Sequence, residues 1–173
     1  MDGQVLIRPY QRADAVEMVA AARESSVEVS RWMVWCRPDY SLADASTWIE
    51  ATIAGRAAGT MYEFAITDGA GMFIGGCGIN HINTVDQFAN LGYWVRTSCT
   101  GRGVAPAAVR ALIAWAFANT QLNRIEIVAA TGNTRSQRVA ANVGGEREAV
   151  LRQRLVVQGV PVDAVMFSVT RPA

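Results

Sequence analysis

The stretch VRTSCTGRGVAPAAVRAL, residues 95–112, packs two glycines into a short polar loop and then turns at once into an Ala-rich apolar run. Gly101 and Gly103 leave backbone N–H groups unshielded by side chains. The run that follows carries Val109, Leu112, Ile113, Ala116 and Phe117 at helical spacing, with Pro106 near its first turn. A helix start fed by such a loop is a ready anion cradle, because its first N–H groups have no intrahelical acceptor and the helix dipole favours negative charge there. Two glycines would also suit a plain left-handed turn, so the surroundings of the loop have to decide.

Downstream lies RIEIVAA, residues 124–130, so that strand, helix and strand succeed one another and imply one parallel crossover. Upstream the period is two: YEFAITD (62–68), MFIGGCGINHIN (72–83) and FANLGYWVR (88–96) are separated only by GAG and TVDQ, the signature of an antiparallel meander. Further out, VLIRP (5–9) predicts a strand. A helix should follow, with Asp14 and Glu17 at capping-box spacing and a stripe of Val16, Val19 and Ala20. An irregular aromatic segment, SRWMVWCRPDY (30–40), leads to a second box, Ser41 with Asp44. The helix it opens has the stripe Ala45, Trp48, Ile49, Thr52 and Ile53, and Gly55 and Gly59 close it. NTRSQRVAANVGG (133–145) predicts a short helix capped by Asn133 and stopped by Gly144 or Gly145, and the tail predicts two strands around QGVP. The expected fold class is mixed α/β on one mostly antiparallel sheet, with residues 1–173 forming a single domain.

Composition removes several classes of function. A formal charge of +1 gives no basic excess for nucleic acid and no acidic tail. Charges at Asp2, Arg8 and Arg12 fall within the first dozen residues, and the longest apolar stretch, APAAVRALIAWAFA, is interrupted by Arg110, which argues against a signal peptide, a membrane span or a membrane partner and for a cytoplasmic protein. Cys36, Cys77 and Cys99 form no CxxC pair and sit beside no His ligands, so neither a disulfide scaffold nor a metal site is expected. The GxG before a helix invites comparison with dinucleotide folds. Pro106 stands where their third glycine belongs, the loop follows an antiparallel meander, and Glu126 alone does not supply the ribose-binding part of the fingerprint. No GK[ST] follows that would make a phosphate-binding loop of the Walker type.

ANLGYWVRTSCTGRGVAPAAVRAL (89–112) together with NRIEIVAATGNTRSQRVAANVGG (123–145) resembles the acyl-CoA site of the GNAT N-acetyltransferases, in the branch that includes the RimJ and RimL ribosomal-protein N-terminal acetyltransferases. LIRPYQRADA, a W…W segment, GGCGINHIN before LGYWV, and a closing LRQR…G…D…FSV fall in family order, so the resemblance spans nearly the whole chain. It implies the GNAT fold, in which the parallel strands LGYWV and RIEIVAA splay apart between helices on both faces of the sheet. It implies acetyl-CoA as co-substrate, with pantetheine in the gap near Trp94 and Val95 and the pyrophosphate on the amides of Thr100, Gly101, Arg102, Gly103, Val104 and Ala105. The family pattern usually has Gln or Arg where Thr100 stands. A homodimer is common among such relatives.

The same resemblance implies direct attack of an amine on the thioester, and the sequence agrees, having no GxSxG elbow and a single histidine. Ser136, three residues after Asn133, matches an Asn-x-x-Ser helix whose hydroxyl faces the CoA sulfur, while Asn133 braces the cofactor arm and doubles as helix cap. A backbone N–H at Val95 would meet the oxyanion. Arg102, Arg135 and Arg138 cluster at helix starts where the CoA 3′-phosphate is expected, or are solvated surface arginines. Many relatives read AEIGYW where this chain reads ANLGYW. Asn90 can therefore orient a water or an amine but cannot keep a proton. His81, on the neighbouring strand, and Glu126 are the alternative bases, each with a plain structural reading beside the catalytic one. Trp32, Trp35 and Tyr40 could wall the acceptor pocket or simply pack the core. The reading is an acetyl-CoA-dependent N-acetyltransferase acting on a primary amine, either a protein N-terminus or a small molecule. The alternative, raised by Asn90, is a catalytically weak acyl-CoA-binding module.

Overall fold

Alternation along three consecutive segments sets the middle of the sheet, and the helices divide between its faces. In the computed structural model, which describes residues 4–172, the strands are β1 Val5–Pro9, β2 Tyr62–Asp68, β3 Phe73–Asn83, β4 Phe88–Val95, β5 Arg124–Ala130, β6 Glu146–Val157 and β7 Val160–Thr170. The helices are α1 Ala15–Val29, α2 Leu42–Ala58, α3 Val104–Asn119 and α4 Thr134–Asn142. The strands join in one seven-stranded sheet, ordered β1-β2-β3-β4-β5-β7-β6. All neighbours run antiparallel except β4 and β5.

One face of the sheet is covered by α1 and α2 over a core of Tyr10, Met18, Ile49, Phe73 and Trp94. The other is covered by α3 and α4 over Ile66, Ile79, Leu112, Ile125 and Ile127. Neighbouring residues of β4 divide accordingly: Trp94 packs with the first core, Leu91, Tyr93 and Val95 with the second.

The parallel pair is short. β4 meets β5 only at Phe88 with Arg124, Ala89 with Ile125 and Asn90 with Glu126. Beyond Asn90 each strand follows its other neighbour: β4 stays with β3 as far as Val95 opposite Gly75, and β5 stays with β7 as far as Ala130 opposite Ala164. The two strands therefore open into a wedge whose backbone edges are unpaired.

Two local expectations change. Ser41 and Asp44 do form a reciprocal capping box at α2, with Asp44 N–H donating to Ser41 Oγ at 3.1 Å and Ser41 N–H donating to Asp44 Oδ2 at 2.8 Å. Asp14 and Glu17 do not form one at α1. Asp14 is drawn to the Arg8 guanidinium, at 2.6 and 2.8 Å, and to the Gln11 N–H, while Glu17 accepts the N–H of Phe73 at 2.8 Å and ties α1 to β3. The helix accordingly buries Met18, Ala21, Ala22 and Ser25 and turns Val16 to solvent. On α2, Ala45, Ile49 and Thr52 are buried as the spacing predicts, but Trp48 and Ile53 are exposed.

Candidate active site

The glycine loop is held in place from α1. Arg96 pairs with Glu24 at 2.6 Å, Ser98 N–H donates to the same carboxylate, and Thr97 N–H donates to Ser25 Oγ. Gly101 and Gly103 then take left-handed backbone at φ 75° and 77°, and Gly103 is the N-cap of α3. Among the described residues, no acceptor meets the N–H groups of Gly101, Arg102, Gly103, Val104 and Ala105. Thr100 differs from the rest of the expected cradle, since its N–H and its hydroxyl both donate to Thr97 O. A Cβ on either glycine would meet nothing of the protein within 4 Å. The loop is thus an open set of donors at a helix start, which fits a diphosphate.

A cavity of about 690 Å³ runs from this loop along the wedge between β4 and β5 to the start of α4. Arg96 N–H donates to Ile74 O, so alternation aims the N–H groups of Tyr93 and Val95 toward the wedge and that of Trp94 toward β3. At the far wall, Asn133 caps α4 by accepting Ser136 N–H at 3.1 Å, and Tyr93 Oη donates to Ser136 Oγ at 3.1 Å. Burial raises the Tyr93 phenol above its ordinary pKa and keeps it a donor.

A second cavity, about 550 Å³, lies on the α1 and α2 face, and Met33, Tyr93 and Trp94 line both. Its wall is aromatic: Trp35 stands edge-on to Trp94 at 5.3 Å and to Tyr40 at 5.5 Å. Arg37 and Asp44, paired at 2.8 Å, also line it. Its floor holds a carboxylate that no sequence motif marked. Glu63, on β2, is 8% exposed and accepts a hydrogen bond from Asn80 Nδ2 at 3.1 Å. Asn80 in turn accepts one from Asn90 Nδ2 at 2.9 Å. Burial pushes the Glu63 carboxyl up to about 7, against the opposing pulls of the Asn80 hydrogen bond and the nearby Arg56 charge.

Residues 4–146 match the family model described as Acetyltransferase (GNAT) domain. The chain belongs to the GNAT acetyltransferase family. It is 28% identical over 177 residues to the Bacillus subtilis protein named "Putative ribosomal N-acetyltransferase YdaF", covering 96% of this chain and 91% of that one. The solved structure of Mycobacterium smegmatis RimJ in complex with CoA-disulfide superposes with a TM-score of 0.88 at 27% identity, over 96% of this chain and 81% of that one. RimL in complex with coenzyme A shares the fold at a TM-score of 0.89 and 17% identity, over 96% of this chain and 93% of that one. The protein is an acyl-CoA-dependent N-acetyltransferase of the RimJ/RimL-like branch, and acetyl-CoA is its donor.

Within this GNAT site the expected residues separate. Trp94, Val95, Thr100, Gly101, Gly103, Val104, Ala105, Asn133, Arg135, Ser136 and Arg138 line the wedge cavity, whereas Arg102 is exposed outside it. Trp35 and Tyr40 line the second cavity. Trp32 does not; it lines the wedge, against Gly132. Asn90 is joined to Glu63 through Asn80. His81 is exposed on the β3 bulge at φ 49° and lines neither cavity. Glu126 is held by Arg124 at 2.8 Å, in a network that also pairs Arg124 with Glu148, and it too lines neither cavity. Among the described residues, no group of three or more His, Cys, Asp or Glu side chains could hold a metal ion, and no helix is long and apolar enough to cross a membrane.

Proposed function

We propose that this single-domain enzyme acetylates α-amines, with a protein or peptide N-terminus as the acceptor. The observation that carries the reading is the meeting of the two cavities at Tyr93 and Trp94: a donor-lined wedge on one side, an aromatic-walled pocket on the other. The likeness to a protein named as a ribosomal N-acetyltransferase and to RimJ supports the acceptor class.

In this reading the amides from Gly101 to Ala105 hold the pyrophosphate, and Arg135 and Arg138 stand where they can reach a further phosphate. The N–H of Val95 receives the oxyanion as the amine attacks the thioester. Ser136 donates to the departing thiolate while Tyr93 donates to Ser136, so the hydroxyl is held in one orientation. Asn133 fixes the helix start that positions Ser136, and Trp35 and Tyr40 wall the acceptor. The test is release of free thiol from acetyl-CoA with Ala- and Ser-initiated tetrapeptides, against the same peptides blocked at the N-terminus. Turnover of free peptides alone supports the proposal; tight acetyl-CoA binding with no turnover of any amine would make the protein a binding module instead.

A further inference from the structure

Gly76 and Gly92 line the second cavity, and Gly78 lies on the same face of the sheet between them and Glu63. Ala65 pairs with Gly76 and Glu63 with Gly78 across β2 and β3, and Gly78 pairs with Gly92 across β3 and β4, so Glu63, Gly78 and Gly92 form one row on the α1 and α2 face. A Cβ on Gly78 would overlap the Glu63 carboxylate, which means the side chain lies flat across that glycine toward β4. At Gly92 the situation is reversed, since a Cβ there would meet nothing within 4 Å. The row thus has a carboxylate at one end and open space at the other, directly on the strand whose far edge borders the wedge. The next row, Asn80 beside Asn90, holds the carboxylate in that position by the two hydrogen bonds described.

We propose that Glu63 is the general base of this transferase, taking the place of a carboxylate on β4, and that the acceptor amine sits above Gly92. The inference rests on the α-amine reading. The ammonium of the acceptor gives one proton to the Glu63 carboxylate, and its nitrogen then bonds to the thioester carbonyl carbon. As the carbonyl re-forms, the C–S bond breaks, the second amine proton ends on the thiolate, and Glu63 returns the first to solvent. The titratable and charged groups facing Glu63 leave it as the acceptor of that proton. Tyr10 is a buried phenol raised well above its ordinary pKa, Cys77 is a buried thiol raised likewise, Arg56 donates to the Glu63 carbonyl, Tyr93 is a donor, and Arg37 and Asp44 pair with each other. A carboxyl poised at about 7 suits the task.

The experiment is kcat/KM against pH for Ala-initiated tetrapeptide in wild type, Glu63→Gln and Gly92→Ala, with acetyl-CoA affinity measured by calorimetry in each. Glu63→Gln should lose about 10²–10⁴-fold in kcat/KM near pH 7. Its profile should lose the limb near pH 7 and rise instead through the peptide's own pKa, with acetyl-CoA affinity unchanged. Gly92→Ala, whose methyl enters open space without strain, should raise the peptide KM and leave acetyl-CoA affinity alone. Wild-type activity and an unaltered limb in Glu63→Gln would overturn the base while leaving the transferase reading standing. Failure of wild type to acetylate any amine would remove both.

Discussion

Replacing Glu63 by Gln should make the protein more stable at pH 8 than wild type and nearly equal to it at pH 4. The carboxyl is raised from an ordinary 4.5 to about 7 because its charged form is buried. Below about 4.5 the group is protonated in both folded and unfolded chains and contributes no difference. Between about 4.5 and 7 the unfolded chain releases its proton while the folded one retains it, so stability falls as pH rises through that window. Above about 7 the loss is complete. Holding the carboxyl at about 7 in place of 4.5 corresponds to about 3 kcal/mol. Glutamine keeps the acceptor that Asn80 uses and carries no charge, so the variant should escape the loss. The assay is the difference between variant and wild type in thermal or urea unfolding from pH 4 to pH 9, which cancels every other titrating group. For a chain of this size the Tm gap should open by roughly 6–12 °C across the window. A gap independent of pH, or one that closes as pH rises, would mean that Glu63 is not a carboxyl held in a buried site, and the reasoning from its burial would fail.

Gly103→Ala should lower stability by about 1–2 kcal/mol, because an L residue is strained at φ 77°, and should weaken acetyl-CoA binding as its methyl enters the cradle; scanning calorimetry and titration calorimetry read the two effects separately. Ser136→Ala should reduce kcat by about 10–100-fold with little change in the KM for acetyl-CoA, since a donor to a leaving thiolate acts in the transition state, and steady-state kinetics with wild-type kcat would demote the hydroxyl. A base at about 7 is matched to an α-ammonium of roughly 7.7–8.0 and mismatched by about 3 units to a lysine at about 10.4. Wild type should therefore prefer an α-amine over an ε-amine in otherwise identical peptides, and equal kcat/KM for the two would contradict that.

What the amino-acid sequence determined by itself is everything that repeats or closes within a few residues. Period two marked the three meander strands, helical spacing marked α3, and Gly101 and Gly103 marked the donor loop, because hydrogen bonds and side-chain direction in such segments depend on near neighbours. The caps at Ser41 and Asn133 were legible for the same reason. Asp14 was not, since its partner Arg8 reaches it from β1 and competes with the local cap. Only the tertiary structure decided which carboxylate stands in the acceptor pocket. Glu63 is flanked by ordinary strand residues, and its position depends on register across β2, β3 and β4, which brings it level with two glycines 15 and 29 positions further along. Its burial depends in turn on what α2 and the 30–40 segment lay over that row. The same holds for Trp32 and Trp35, three residues apart yet in different cavities, and for His81, which a bulge in β3 sends to solvent. Periodicity fixes the face a side chain points from; lateral pairing and packing fix what that face looks onto, and the chemistry of this site lies in the second.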